Sequence, residues 1–98
     1  MTRTELLKTY ELYMTQLNVL IEFTPFTEME SKIKWMMENT DYGVNDMKVL
    51  YTVLDILKDT KHTDSIFEIS KAMERIHKNL RDESIYYQGA VRALKALE

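Results

Sequence analysis

The sequence has no cysteine, one proline and two glycines among its 98 residues. Without cysteine, the chain has no disulfide, no thiolate nucleophile and no cysteine-ligated zinc. Strands joined by tight turns need more turn-forming residues than Pro25, Gly43 and Gly89. We therefore predict an all-α protein. A chain of this length holds one core, so we expect a single helical domain over residues 1–98.

Long apolar runs and an excess of positive charge are also missing. No apolar run exceeds three residues, far short of a membrane span, and the polar start of the chain does not resemble a signal peptide. We therefore expect a soluble, cytoplasmic protein without a membrane span. The 13 basic and 16 acidic residues give a net charge of −3, which argues against a dedicated nucleic-acid binder.

Apolar residues spaced three and four apart predict a first helix from Thr4 or Glu5 to about Phe23. Pro25 then ends it, because proline lacks an amide hydrogen and disfavours helical geometry at the residue before it. Three further apolar residues lie off the main stripe and widen the apolar surface of this helix: Leu12, Val19 and Phe23.

Two helices are predicted in the middle of the chain. Thr27 and Glu30 have the spacing of a capping box, so Thr27 is the expected N-cap of the second helix, which ends before a turn at Gly43. Asn45 or Asp46 is the expected cap of the third, which reaches residue 57 or 58. Because this third helix is apolar on two faces, we expect it to be the central element.

The C-terminal region, residues 64–97, permits two interpretations. Ser65 and Glu68 form another capping box, and an apolar seam follows: Ile66, Ile69, Met73, Ile76 and Leu80. The seam fails at Glu83 and a new stripe begins beyond it. The region is therefore either one long bent helix or two helices with a break near residues 81–84, where Asp82 would cap the second. The break is the favoured interpretation.

Together these segments predict a compact antiparallel bundle of four to five helices with short loops. Its core is expected to form around one set of apolar residues from the first, third and later helices: Leu17, Leu50, Leu54, Ile69, Met73 and Ile76.

Candidate metal and catalytic motifs are incomplete. Glu74 and His77 have the Glu-x-x-His spacing of di-iron bundles, but such a site needs two of these motifs and two more glutamates. Glu38-Asn-Thr-Asp41 resembles half of the magnesium site of MazG-type nucleotide pyrophosphohydrolases, yet the upstream Glu-Glu-x-x-Glu helix of that family is absent. We therefore predict no metal, no cofactor and no catalytic residue, and hence a protein that is not an enzyme.

Large adaptable side chains are abundant, with seven methionines, six tyrosines, three phenylalanines and one tryptophan. One buried face per helix cannot hold all of them, and Trp and Tyr often anchor protein interfaces. We therefore predict that Trp35, Tyr86 and Tyr87 form a surface for a protein partner or a second subunit, so that the chain is a homo-oligomer or binds another protein.

A basic line offers a different function. Lys71, Arg75 and Lys78 follow one another at steps of four and three, on the side of their helix away from the apolar seam. The alternative hypothesis is that these residues bind an anion: a small ligand, a nucleotide phosphate or a nucleic acid.

In size and class alone, a short helical protein of this kind is similar to bacteriocin immunity proteins and to small phage proteins that block host machinery. That resemblance involves no particular residues, so no site is transferred from it. It implies a non-enzymatic protein that acts by protein–protein binding, in an inhibitor-like, immunity-like or adaptor role.

Overall fold

A computed structural model describes residues 2–39 and 44–97. Four helices are present in those two segments: α1 (Arg3–Phe23), α2 (Phe26–Asn39), α3 (Val44–Thr60) and α4 (Ile66–Ala96). They make up 90% of the described residues, which confirms the predicted all-α bundle. The predicted turn at Gly43 lies outside the described residues.

The ends of α1 follow the local chemistry of the sequence. The Oγ1 of Thr2 accepts a hydrogen bond from the backbone N–H of Glu5 at 3.1 Å and caps the helix. At the other end, Thr24 is extended, as a residue before proline should be. Its buried hydroxyl donates to the carbonyl of Val19 at 3.0 Å, so the chain leaves the helix with that carbonyl satisfied.

The predicted N-caps, Thr27 and Asn45 or Asp46, place the starts of α2 and α3 two to three residues too late. Helix α2 begins at Phe26, directly after Pro25, whose carbonyl accepts a hydrogen bond from the N–H of Glu28 at 3.0 Å. Thr27 therefore lies inside the first turn and is not the cap. Helix α3 begins at Val44, before both predicted caps, and continues to Thr60.

Helix α4 is continuous for 31 residues, so the predicted break near residues 81–84 is wrong. One buried stripe runs through the supposed break, at steps of three and four: Ala72, Ile76, Leu80, Ser84, Tyr87 and Val91. Ser84 directly follows Glu83, where the apolar seam fails in the sequence, and at only 3% exposed it continues the buried stripe. Asp82 is not a cap. It lies in mid-helix and pairs with Lys78 one turn earlier, at 3.3 Å.

Helices α3 and α4 share the middle of the bundle, so the predicted central position of α3 is correct in part: each of the two makes its main contacts with two other helices. Helix α1 packs along α4, α3 packs on α4, and α2 packs on α3. Helix α1 runs antiparallel to α4, since Arg3 donates to the carbonyl of Leu97 while Asn18 meets Ser84. The result is an elongated molecule of 50 × 22 × 21 Å.

The predicted core is confirmed for Leu17, Leu50 and Ile76, which are fully buried. Leu54 and Met73 are only half-buried and pack at the edge of the core. Ile69 is also half-buried, and Ile66 is exposed, because the first turn of α4 lies outside the packed part of the bundle. The buried seam of α4 therefore starts at Ala72, later than predicted.

Candidate functional site

A groove lies between α1 and α2. These helices are consecutive and joined by only Thr24 and Pro25, but α1 packs mainly on α4 while α2 packs mainly on α3. Because each has a different main partner, an open space of about 530 Å³ remains between them. Residues from both helices line it: Thr15, Gln16, Val19, Leu20, Ser31, Lys32, Trp35 and Met36.

The groove has an apolar floor and a mixed rim. Leu20 and Met36 are buried and form the floor. Trp35 is 58% exposed and borders the groove from α2, and Val19 borders it from α1. Lys32 is the only charged residue among the described residues that line the groove. Apolar surface with a few polar groups at its edge is the usual composition of a binding groove.

The apolar surface continues along α1 beyond the groove. Leu12 and Phe23 are exposed and share a helix face with Val19, at spacings of seven and four residues. These three residues lie off the main apolar stripe of α1, where the sequence predicts that they widen its apolar surface. Their spacing signals a second apolar face on α1, but only the position of α2 shows that this face borders a groove.

The three aromatic residues predicted to form a partner surface are not on one surface. Trp35 lines the groove, whereas Tyr86 lies on α4, is 70% exposed and is not among the groove-lining residues. Tyr87 is 4% exposed, so its predicted exposure is wrong. Its ring centroid lies 4.8 Å from those of Tyr10 and Tyr13, in two edge-to-face contacts.

The buried position of Tyr87 follows from the stripe of α4. It comes three residues after Ser84 and four before Val91, both buried. Adjacent residues on a helix differ in direction by about 100°, so Tyr86 points away from the buried stripe. The centroids of the Tyr86 and Tyr87 rings are 5.4 Å apart. Unless Ser84 is known to be buried, the sequence does not show which of the two tyrosines is buried and which is exposed.

The basic line is present on the surface of α4. Lys71, Arg75 and Lys78 are all exposed. The Nζ of Lys71 lies 4.6 Å from the centroid of the Phe67 ring, a cation–π contact, and Lys78 pairs with Asp82. Two of the three cations thus have partners within their own helix, and the ion pair with Asp82 balances the charge of Lys78.

The described parts of the chain contain no group of three or more His, Cys, Asp or Glu residues placed to bind a metal ion. His77, from the Glu-x-x-His motif, is half-buried. Burial lowers its pKa, and the nearby positive charge of Arg81 lowers it further, because both disfavour the protonated imidazole. Asp41, from the motif that resembles a magnesium site, lies outside the described residues.

None of the helices in the described segments is long and apolar enough to cross a membrane. Comparison with models of known protein families, with curated proteins and with solved structures finds no match to this chain. Its function must therefore be inferred from its own residues.

Proposed function

We propose that this chain is a non-enzymatic binding module that holds a protein partner in the groove between α1 and α2. The observation that carries the proposal is Trp35, the only tryptophan of the sequence, which stands 58% exposed at the edge of an apolar groove. An exposed tryptophan beside apolar surface costs hydration free energy that a partner would recover. Tryptophan is also among the residues that contribute most to the affinity of protein interfaces.

The groove suits a macromolecular partner. Its floor of Leu20 and Met36 is apolar. At the edge, the hydroxyl oxygens of Thr15 and Ser31, whose hydrogens are donated to backbone carbonyls of their own helices, can accept hydrogen bonds. Exposed Leu12 and Phe23 extend the apolar surface along α1. A helix laid into such a groove would contact α1 and α2 at the same time, which is a common way of recognising a peptide or protein segment.

The composition of the groove favours binding over catalysis. Among the described residues that line it, none is histidine, aspartate or glutamate. A general acid or base working near neutral pH is usually one of these three residue types. An inhibitor-like, immunity-like or adaptor role requires only a complementary surface, and we propose that role for the groove.

The test is affinity capture of proteins from a lysate of the cells that make this protein, with wild type and Trp35→Ala compared. We expect Trp35→Ala to lose a specific partner while circular dichroism shows an unchanged fold. Tyr86→Ala is the matched control, because it removes another exposed aromatic side chain outside the groove. Equal capture by wild type and Trp35→Ala would contradict the proposal.

A second candidate function, anion binding by α4, rests on the uneven distribution of charge. Residues 66–96 contain six basic and four acidic residues, while the rest of the chain contains seven basic and twelve acidic residues. If Lys71 and Arg75 bind a nucleic acid, replacing both with alanine should weaken binding, and the affinity should fall steeply as salt rises. Protein binding through the groove predicts no effect of replacing Arg75 alone, because Arg75 does not line the groove.

A further inference from the structure

A second exposed apolar feature lies at the start of α4. Residues 64–68, here called the α4 tip, present Ile66 at 81% exposure and Phe67 at 66% exposure. Apolar patches of this kind on single chains often mark interaction sites. In the isolated chain the tip and the groove are both exposed, so the tip does not fill the groove of its own chain.

We propose that the α4 tip of a second copy of this chain occupies the groove between α1 and α2. This inference rests on the proposed function and names its partner. It brings Ile66, the most exposed large hydrophobic residue of α4, and its neighbour Phe67 onto the apolar floor and rim of the groove. Trp35 and Val19 would then cover Ile66 and Phe67 of the second copy, and all four apolar side chains would leave water.

The tip is held in shape before it binds. The Oγ of Ser65 accepts a hydrogen bond from the N–H of Glu68 at 3.3 Å, and the Oγ1 of Thr63 accepts one from the N–H of Ser65 at 3.1 Å. Lys71 lies over the ring of Phe67. A fixed backbone and a supported ring lose less conformational entropy on association, so more of the apolar contact appears as affinity.

The charges of the two surfaces are complementary. Lys32 is the only charged residue among the described residues that line the groove. The tip contains two carboxylates, Asp64 and Glu68, against the single ammonium of Lys71 that lies over the Phe67 ring, so its net charge is negative. Opposite charges at the contact favour this pairing, and they matter here because two copies of a chain with a net charge of −3 repel each other at a distance.

The contact joins two different surfaces, groove on one copy and tip on the other. Two copies that each insert a tip into the other's groove form a closed dimer, whereas a single insertion leaves one groove and one tip open. This asymmetry makes the contact testable by mixing variants, because each defective surface can be supplied by a different copy.

The experiment measures mass by sedimentation velocity for wild type, a tip variant (Ile66→Ser with Phe67→Ser) and a groove variant (Trp35→Ala). We expect wild type to associate and each variant alone to associate at least about tenfold more weakly. Mixing the two variants should produce a complex, since one intact groove then meets one intact tip. Trp35 is absent from the groove variant, so tryptophan fluorescence in the mixture reports only the groove of the tip variant and should shift to shorter wavelength.

Charge reversal gives a second, independent measurement. Lys32→Glu should weaken association about threefold or more, because it faces carboxylates of the tip. Combining Lys32→Glu with Asp64→Lys and Glu68→Lys should restore it. These changes are on exposed side chains and leave the core intact. Ile85→Ser is the control, since Ile85 is exposed on α4 but belongs neither to the tip nor to the groove.

Three results would overturn the inference: a monomeric wild type at every accessible concentration, a tip variant that associates as tightly as wild type, or mixed variants that do not combine. A monomeric wild type that still needs Trp35 to capture another protein would reject the second copy as partner and leave the proposed function standing. If neither self-association nor capture depends on Trp35, both proposals fail.

Discussion

The two sides of α1 differ in burial although both are apolar. On one side, Tyr13 and Leu17 are fully enclosed, chiefly by α4. On the other, Leu12 and Phe23 are exposed beside the groove that Val19 lines. Apolar periodicity therefore identifies the surfaces that can be buried, but the placement of neighbouring helices decides which of them are buried within the chain.

The closed side is built around aromatic and polar contacts that need α4 to be one unbroken helix. Tyr10 and Tyr13 contact Tyr87, and the Oγ of Ser84 donates to the Oδ1 of Asn18 at 3.2 Å. These contacts are one turn apart on α4. A break at residues 81–84 would separate them, and the antiparallel pairing of α1 with α4 could not extend over this length.

The largest expected effect lies on the closed side. Tyr87→Ala should lower the free energy of unfolding by about 3–5 kcal/mol, because it leaves a cavity beside Tyr10 and Tyr13. Urea denaturation followed by circular dichroism measures this change. Tyr86→Ala is the adjacent control and should cost far less, since Tyr86 is exposed. Similar losses for both variants would show that Tyr87 is not part of the core.

A smaller effect is expected at Ser84, the small buried residue of α4 that is hydrogen-bonded to Asn18 of α1. Ser84→Leu should destabilise the protein by about 1–3 kcal/mol, because a larger side chain at a position only 3% exposed forces its neighbours to move. Ser84→Ala removes only the hydrogen bond to Asn18 and should cost about 0.5–1.5 kcal/mol. Stabilisation by leucine in urea denaturation would contradict close packing at this turn.

Ser84 also explains how far the sequence predicts the fold. Helices α1 to α3 are found within three residues of their predicted bounds, because the effects of proline and of apolar spacing are local. The continuity of α4 could not be predicted in the same way. A buried serine looks polar in a sequence pattern, and its burial depends on Asn18, 66 residues earlier in the chain.

The candidate site is predictable only in part for a similar reason. Trp35 could be singled out because a lone tryptophan beside two methionines exceeds the needs of one buried face. Tyr87 could not be distinguished from Tyr86 without the stripe through Ser84. The groove itself depends on α1 and α2 packing on different helices, which no local pattern encodes.

On the open side of α1, truncating Trp35 should affect stability far less than truncating Tyr87, although both side chains are large and aromatic. Trp35→Ala is expected to change the free energy of unfolding by about 1 kcal/mol or less, because Trp35 is mostly exposed. Urea denaturation of a dilute sample checks this without a contribution from association. A loss as large as that of Tyr87→Ala would mean that the groove is part of the core and not a binding surface.

The smallest expected effect is at Asp82, on the solvent side of the turn that buries Ser84. In a continuous helix Asp82 forms only an exposed ion pair with Lys78, and such a pair contributes about 0.3–0.5 kcal/mol. An N-cap at the same position would contribute about 0.5–2 kcal/mol, most of it independent of salt. Asp82→Ala should therefore lower stability by no more than about 0.5 kcal/mol in urea denaturation. Lys78→Ala should lose a similar amount, and both losses should shrink as salt screens the pair. A loss above about 1 kcal/mol for Asp82→Ala alone, unchanged in high salt, would instead indicate that Asp82 caps a separate helix. The buried stripe from Ser84 to Tyr87 would then not continue the one that ends at Leu80.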